Sequence, residues 1–110
     1  MDVVMWPGLD VDVITPGERL RLAGRLDTRN AASVRTALHA AIDGGVGDLV
    51  LDLGELEIWD GTGLGVLVGA ARRAQRAGRR LVLTAVRPRE LRLLRVARVT
   101  WASSVEAIPV

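Results

Sequence analysis

The sequence predicts an α/β domain in which a β-hairpin leads a parallel sheet whose strands alternate with helices. Three observations carry this reading. Two stretches near the N-terminus alternate apolar and polar residues, as half-exposed strands do. Two later stretches are short and almost continuously aliphatic, the pattern of central parallel strands. Between and after them, apolar residues recur at helical spacing. A chain of 110 residues suits one compact domain spanning 1–110. With no Phe or Tyr, its core must be aliphatic; only Trp6, Trp59 and Trp101 supply rings.

The elements follow in order. "LDVDVI", 9–14, places Leu9, Val11 and Val13 on one side and Asp10 and Asp12 on the other. "TPGE", 15–18, has Pro and Gly at the central positions of a type II turn. "RLRLA", 19–23, alternates again, so the two strands form an antiparallel hairpin, expected at a sheet edge. A helix follows over about 27–43. Asp27 or Thr28 is expected to cap it, Ala31, Val34, Leu38, Ala41 and Ile42 to face the core, and Gly44 and Gly45 to stop it. His39 falls beside that face as an ordinary boundary residue. "DLVLDL", 48–53, and "RLVLTAV", 80–86, are the aliphatic strands, and they flank a glycine-rich helix. "RPRELRLLRVA", 87–97, begins another helix with Pro88 in its first turn. "VTW", 99–101, reads as a last short strand and "SSVEAI", 103–108, as a short closing helix. Crossovers of this length make the sheet parallel after the hairpin.

Composition removes several classes of function. There is no Cys, which excludes disulfides, thiolate metal sites and cysteine nucleophiles. A single His39 argues against a histidine-built metal centre or a local catalytic triad. Asp27 and Asp60, both expected at strand ends, are the one candidate carboxylate pair for acid–base work. No nucleophile–base pair accompanies them, so the sequence reads as a non-enzyme with no cofactor. The N-terminus lacks a signal-peptide pattern, and no apolar run approaches the roughly 20 residues of a membrane span. A cytoplasmic protein without membrane insertion is expected.

Charge is unevenly distributed. Every basic residue is Arg, and the formal net charge is +2. Residues 1–60 carry 11 acids and 5 Arg, whereas residues 61–110 carry 10 Arg and 2 acids. A run of Arg72, Arg73, Arg76, Arg79 and Arg80 raises nucleic-acid binding. The cluster lacks the stacking aromatics of single-strand sites, and solvated helix faces explain it more simply. No nucleic-acid partner is expected.

"DGTGLGVLVGAARRAQ", 60–75, is the least ordinary stretch. On a helical wheel, Leu64, Leu67, Val68, Ala71 and Ala74 converge on what is expected to be the core face. Thr62, Gly65, Val66, Gly69, Arg73 and Arg76 fall on the opposite side. Glycine weakens a helix interior by about 1 kcal/mol relative to alanine, so Gly65 and Gly69 require a reason. A bare outer face that lets another protein approach closely is one; packing beneath the chain's own terminus is the other. Phosphate binding fits poorly. Val66 stands where a dinucleotide-binding loop has its third glycine, and there is no Lys for a P-loop.

These residues resemble a known family. "RLAGRLDTRNAASVRTAL", "DLVLDLGELEIWDGTGLGVLVGAARRAQRAGRRLVLT" and "RELRLLRVARV" are similar to the STAS domain (sulfate transporter and anti-sigma factor antagonist), over about 9–108. "DGTGLGVLV" carries most of the likeness, resembling an Asp-Ser-Ser/Thr-Gly-Leu-Gly signature. The resemblance implies a small single-domain STAS-like fold with helices chiefly on one side of the sheet. It also implies an anti-sigma factor antagonist that binds an anti-sigma factor of the ATP-binding serine kinase type and frees a sigma factor. In that scheme kinase phosphorylation ejects the antagonist and a phosphatase resets it. Carried over by position, Asp60, Gly61, Thr62, Gly63, Leu64 and Gly65 form the docking loop and helix start. Asp27 lies in the neighbouring loop, and Val66, Gly69 and Arg73 extend the surface along the helix.

One departure bears on the switch. The usual phosphoacceptor serine is replaced by Gly61, while Thr62 is retained. Either the domain binds without phospho-switching, or Thr62 is the acceptor. The same loss raises an alternative, a degenerate STAS scaffold or transporter accessory module that binds another protein. Trp59, just before the signature, is expected to pack in the core, with a partner-contact role as the sharper alternative.

Overall fold

The computed structural model describes residues 2–97 and 105–109. Among the described residues, six strands form one sheet in sequential order: β1 (Asp2–Trp6), β2 (Leu9–Thr15), β3 (Arg19–Leu26), β4 (Leu49–Ile58), β5 (Leu81–Val86) and β6 (Val105–Pro109). Three helices among those residues lie between them: α1 (Ala31–Asp43) after β3, α2 (Gly61–Arg76) after β4 and α3 (Pro88–Val96) after β5. β1–β2 and β2–β3 pair antiparallel, and every later pair is parallel.

The expected hairpin is β2–β3. Gly17 sits at φ +71 and Glu18 N–H donates to the Thr15 carbonyl at 3.0 Å, as a type II turn requires. Its place at a sheet edge is corrected, because β1 pairs with β2 and takes that edge. The turn between them is Pro7-Gly8, with Gly8 at φ +78, again in the positions a type II turn favours. The expected strand at 99–101 lies outside the described residues. The expected closing helix is a strand over Val105–Pro109, which pairs along the open edge of β5. Local pattern could not reveal that unfilled edge.

Register puts the aliphatic side chains on one face. Leu20 pairs with Leu51 and Leu51 with Leu83, all buried. The intervening rung is Arg21, Asp52 and Thr84, which point the other way and are partly exposed. One core cluster draws on β2, β3, β4 and β5 together with all three helices, so the helices cover one side of the sheet. β4 is longer than the aliphatic run and is exposed on its second face at Glu55 and Glu57. Asp27 and Thr28 are not helix caps. α1 starts at Ala31 after Asn30, while the Asp27 carboxylate accepts from Arg29 N–H at 2.9 Å.

Arg79 holds the opposite end of the sheet together. It is 2% exposed, and its guanidinium donates to six backbone carbonyls: Gly17, Ala41, Ile42, Val46, Gly47 and Asp48. One side chain thereby ties the β2–β3 turn, the last turn of α1 and the loop into β4. The carbonyls near the helix end also carry its negative dipole. Arg79 is thus a structural cation and not part of a free basic face.

Candidate functional site

The site gathers where β3 and β4 end. Leu26 closes β3, a short loop leads to α1, and Ile58 closes β4 just before the glycine-rich helix. Trp59 N–H donates to the Leu26 carbonyl at 3.0 Å and fastens the two strand ends together. Asp60 then organises the loop. Its Oδ1 accepts from Gly63 N–H at 2.7 Å, capping α2. Its Oδ2 accepts from both Thr28 N–H, at 3.0 Å, and Thr28 Oγ1, at 2.9 Å. These bonds, led by that from Gly63, hold the Asp60 carboxyl below the usual carboxylate range. The Asp60 carboxylate therefore spends its acceptors on fixing two loops, with no bond to Asp27.

A second, buried anchor supports the loop from beneath. Asn30 is 1% exposed, and its Nδ2 donates to the carbonyls of Pro7 and Arg25, both at 2.8 Å. Its Oδ1 accepts from Asp27 N–H at 3.1 Å. Sequence reasoning passed over Asn30, because an Asn at a helix start reads as a cap; its partner Pro7 is 23 residues away.

The glycines of α2 divide into two kinds. Gly63 is buried, and a Cβ there would lie 2.5 Å from the Leu26 carbonyl oxygen, a backbone atom that cannot yield. Gly63 is what lets the helix start press against the end of β3. Gly61, Gly65 and Gly69 differ: a Cβ on any of them meets nothing within 4 Å. Gly61 and Gly65 are exposed and Gly69 is partly so.

The helix is rotated from the expected orientation. Gly63, Val66, Leu67, Ala70, Ala71 and Ala74 are buried, whereas Leu64 and Val68 are only partly covered. At 100° per residue this turns the core face by roughly 70°. Val66, expected on the outer side, is 2% exposed and belongs to the core. The close approach at Gly63 and the cap at Asp60 set this rotation together, since both point the first turn toward β3. Of the residues expected at the docking surface, Gly61, Thr62, Gly65 and Gly69 line the open side. Gly63 and Val66 lie inside it, Leu64 sits at its border, and Asp27 is part of the supporting loop. Arg73 is half-exposed and donates through Nε to the Asp43 carboxylate of α1 at 2.9 Å. That pairing lowers the Asp43 pKa and raises that of Arg73.

Trp59 does not pack in the core. It is 54% exposed, Arg25 stacks over its ring at 4.8 Å, and its Nε1 donates to Glu57 at 3.0 Å. Ile58 turns into the core, and in extended backbone the next side chain points the other way, so the ring faces outward. His39 is half-buried on α1; burial, then the nearby Arg73 and Arg35, push its pKa down.

Comparison with known proteins decides the family. Residues 13–101 match the family model described as "Mlab, STAS domain". The chain belongs to the STAS domain family. The STAS domain also shares its fold with solved structures. The anti-sigma factor antagonist SpoIIAA in its unphosphorylated form matches with a TM-score of 0.66 and 19% identity, over 90% of this chain and 86% of that one. A putative anti-sigma factor antagonist from Thermotoga maritima matches with a TM-score of 0.67 and 20% identity, over 84% of this chain and 80% of that one. A chain from the complex of diguanylate cyclase SiaD with its activator SiaC, from Pseudomonas aeruginosa, matches with a TM-score of 0.66 and 15% identity. That match covers 100% of both chains. At these identities the likeness is one of fold. Among the described residues, no helix of the STAS domain is long and apolar enough to cross a membrane.

Proposed function

We propose that this STAS domain is an anti-sigma factor antagonist. It docks on an anti-sigma factor of the ATP-binding serine kinase type and so frees a sigma factor. The docking surface is the loop at Asp60–Gly65 with the open side of α2 at Gly61, Thr62, Gly65 and Gly69. The observation that carries the reading is the empty space around Gly65 and Gly69. Two helix-interior glycines together sacrifice about 2 kcal/mol of helix propensity. Nothing within the described residues packs on them in return, so the compensation comes from a partner.

The reading is one of binding and not of catalysis. Asp60, the best-placed carboxylate, is consumed in capping α2 and holding Thr28. Nucleic acid is a poor partner. Arg79 is buried, Arg73 pairs with Asp43, and Arg80 pairs with Asp48 and Glu106. Three of the five Arg in the run that suggested a basic stripe are thus engaged within the protein.

Docking proceeds without a phospho-switch at the usual position, because Gly61 has no hydroxyl. Thr62 is exposed in the first turn of α2, where a phosphate would be tolerated by the free amides. Incubation with the cognate kinase and ATP, followed by mass spectrometry, separates the two schemes. A phosphate mapped to Thr62 overturns constitutive binding.

The docking surface itself is tested with Gly65→Arg and Gly69→Arg. Both place a bulky side chain in open space, so circular dichroism stays native and the melting temperature does not fall. Binding to the cognate anti-sigma factor, measured by calorimetry, is expected to disappear. Undiminished binding refutes the surface. The missing hydroxyl at Gly61 also favours a second reading, a scaffold or transporter accessory module binding another protein through the same face. Neighbouring reading frames that encode a membrane transporter instead of a sigma-factor regulator would select it.

A further inference from the structure

The exposed Trp59 has surroundings that the docking loop alone does not explain. It lies between two neighbouring depressions, both of which it lines together with Arg89. The larger, about 790 Å³ and open to solvent, runs toward the start of α3 and is lined by Arg87, Pro88, Arg89, Glu90 and Arg92 with Glu57. The smaller, about 220 Å³, is lined by Ile58, Gly61, Leu64 and Leu93 together with the charged Asp60 and Arg89. Gly61 thus forms part of an apolar wall, and a hydroxyl-bearing residue there would make that wall polar.

The charges around the ring do not balance. Glu90 is buried, and its Oε2 already accepts from Arg89 at 2.6 Å and from Ile58 N–H at 3.3 Å. Glu57 accepts from the Trp59 indole. Arg25, Arg87 and Arg92 have no carboxylate partner among the described residues. Trp59 is meanwhile held rigid by the Arg25 stack and the Glu57 bond, which lowers the entropy lost when a partner covers it. A fixed aromatic beside unpaired Arg has the residue types that dominate interface hot spots.

We propose that this cleft is a second docking element, occupied by a partner segment that presents an aliphatic side chain flanked by carboxylates. The aliphatic group enters the pocket between Trp59, Leu64 and Leu93. The carboxylates pair with Arg87 and Arg92, where the fork of each guanidinium matches a carboxylate. The cleft is continuous with the loop at Asp60–Gly61, so it rests on the docking reading above and adds to it the chemistry of the partner. An acidic segment is favoured over nucleic acid because the ring is a single platform and the apolar pocket beside it has no use for a phosphate backbone.

The test uses the full chain labelled with ¹⁵N. The indole N–H signal of Trp59 is assigned by its loss in Trp59→Phe. The probe is a synthetic peptide alternating Glu and Leu. Its controls are the same peptide with Leu replaced by Asn, the same with Glu replaced by Lys, and poly-uridylate. The Glu–Leu peptide is expected to move the Trp59 signal saturably, and the controls to leave it in place. Arg87→Ala with Arg92→Ala should weaken the response about tenfold, and both positions are exposed enough to leave the fold intact. Gly65→Arg, outside the cleft, should keep it. No movement at millimolar peptide overturns the proposal, as does an equal response to the Lys peptide or to poly-uridylate. Binding of the cognate anti-sigma factor separates the two surfaces. If Gly65→Arg abolishes it and the double Arg variant does not, the docking loop stands and the cleft falls.

Discussion

Replacing Gly65 and Gly69 with alanine is expected to stabilise the protein, whereas the same change at Gly63 destabilises it. All three glycines lie in α2, so composition alone treats them alike. At Gly65 and Gly69 an added Cβ meets no atom within 4 Å, and neither residue has a positive φ. The substitution then changes only backbone entropy and solvation. Each is worth about 1 kcal/mol, and the pair about 2 kcal/mol. For a domain of this size, that raises the melting temperature by on the order of 8 °C. At Gly63 the Cβ would stand 2.5 Å from the Leu26 carbonyl oxygen and 2.9 Å from its carbon. The first turn of α2 must move away, loosening the Asp60 cap as well, at a cost of about 1–3 kcal/mol. Urea unfolding of the three single variants and the double variant measures all four values. If Gly65→Ala and Gly69→Ala are neutral or destabilising, the outer face is not bare, and the physical case for a docking surface fails with it. The double alanine variant also probes function: higher stability with weaker partner binding is the trade expected of a site kept open at the expense of the fold.

Three further outcomes follow from the same geometry. Arg79→Leu removes the donors for six backbone carbonyls and is expected to cost about 3 kcal/mol or more, read by urea unfolding; Arg79→Lys, lacking the planar fork, should recover only part of it. Ala85 holds φ +57 at the irregularity of β5, so Ala85→Gly should stabilise by about 1 kcal/mol, and a loss of stability would show that its methyl group packs usefully. The Asp60 carboxyl is held below its usual range, so its contribution is complete above about pH 4 and is lost as pH falls through its folded pKa. Asp43 and Asp48, paired with Arg73 and Arg80, act in the same direction. Asp60→Asn keeps a capping oxygen but not the charge, and should make the acid limb of a stability–pH curve shallower without removing it.

Much of the architecture was legible because it rests on local periodicity. Alternation in 9–14 and 19–23 identified β2 and β3, and the Pro-Gly at 16–17 identified their turn. The apolar spacing of Val34, Leu38 and Ile42 identified the buried face of α1. The Pro7-Gly8 turn carries an equal signal for β1, but residues 2–6 lack the strict apolar–polar alternation that marks β2. Asp60 was legible as a loop residue of the signature. Its grip on Thr28 was not, because the two meet only when β3 and β4 lie side by side.

The sequence by itself determined the order of strands and helices from β2 to α3, the aliphatic character of the core and the membership in the STAS family. Those follow from hydrophobic spacing, turn chemistry and a short motif, all read within a few residues of one another. Tertiary structure decided which residues face outward. Val66 turned in and Trp59 turned out, Arg79 left the surface for a cage of carbonyls, and 105–109 became a strand. Each outcome depends on atoms distant in the chain: the Leu26 carbonyl under Gly63, the carbonyls around Arg79, the free edge of β5. A helix can rotate by a fraction of a turn without changing its sequence pattern, and only the surface it packs against fixes where that rotation stops.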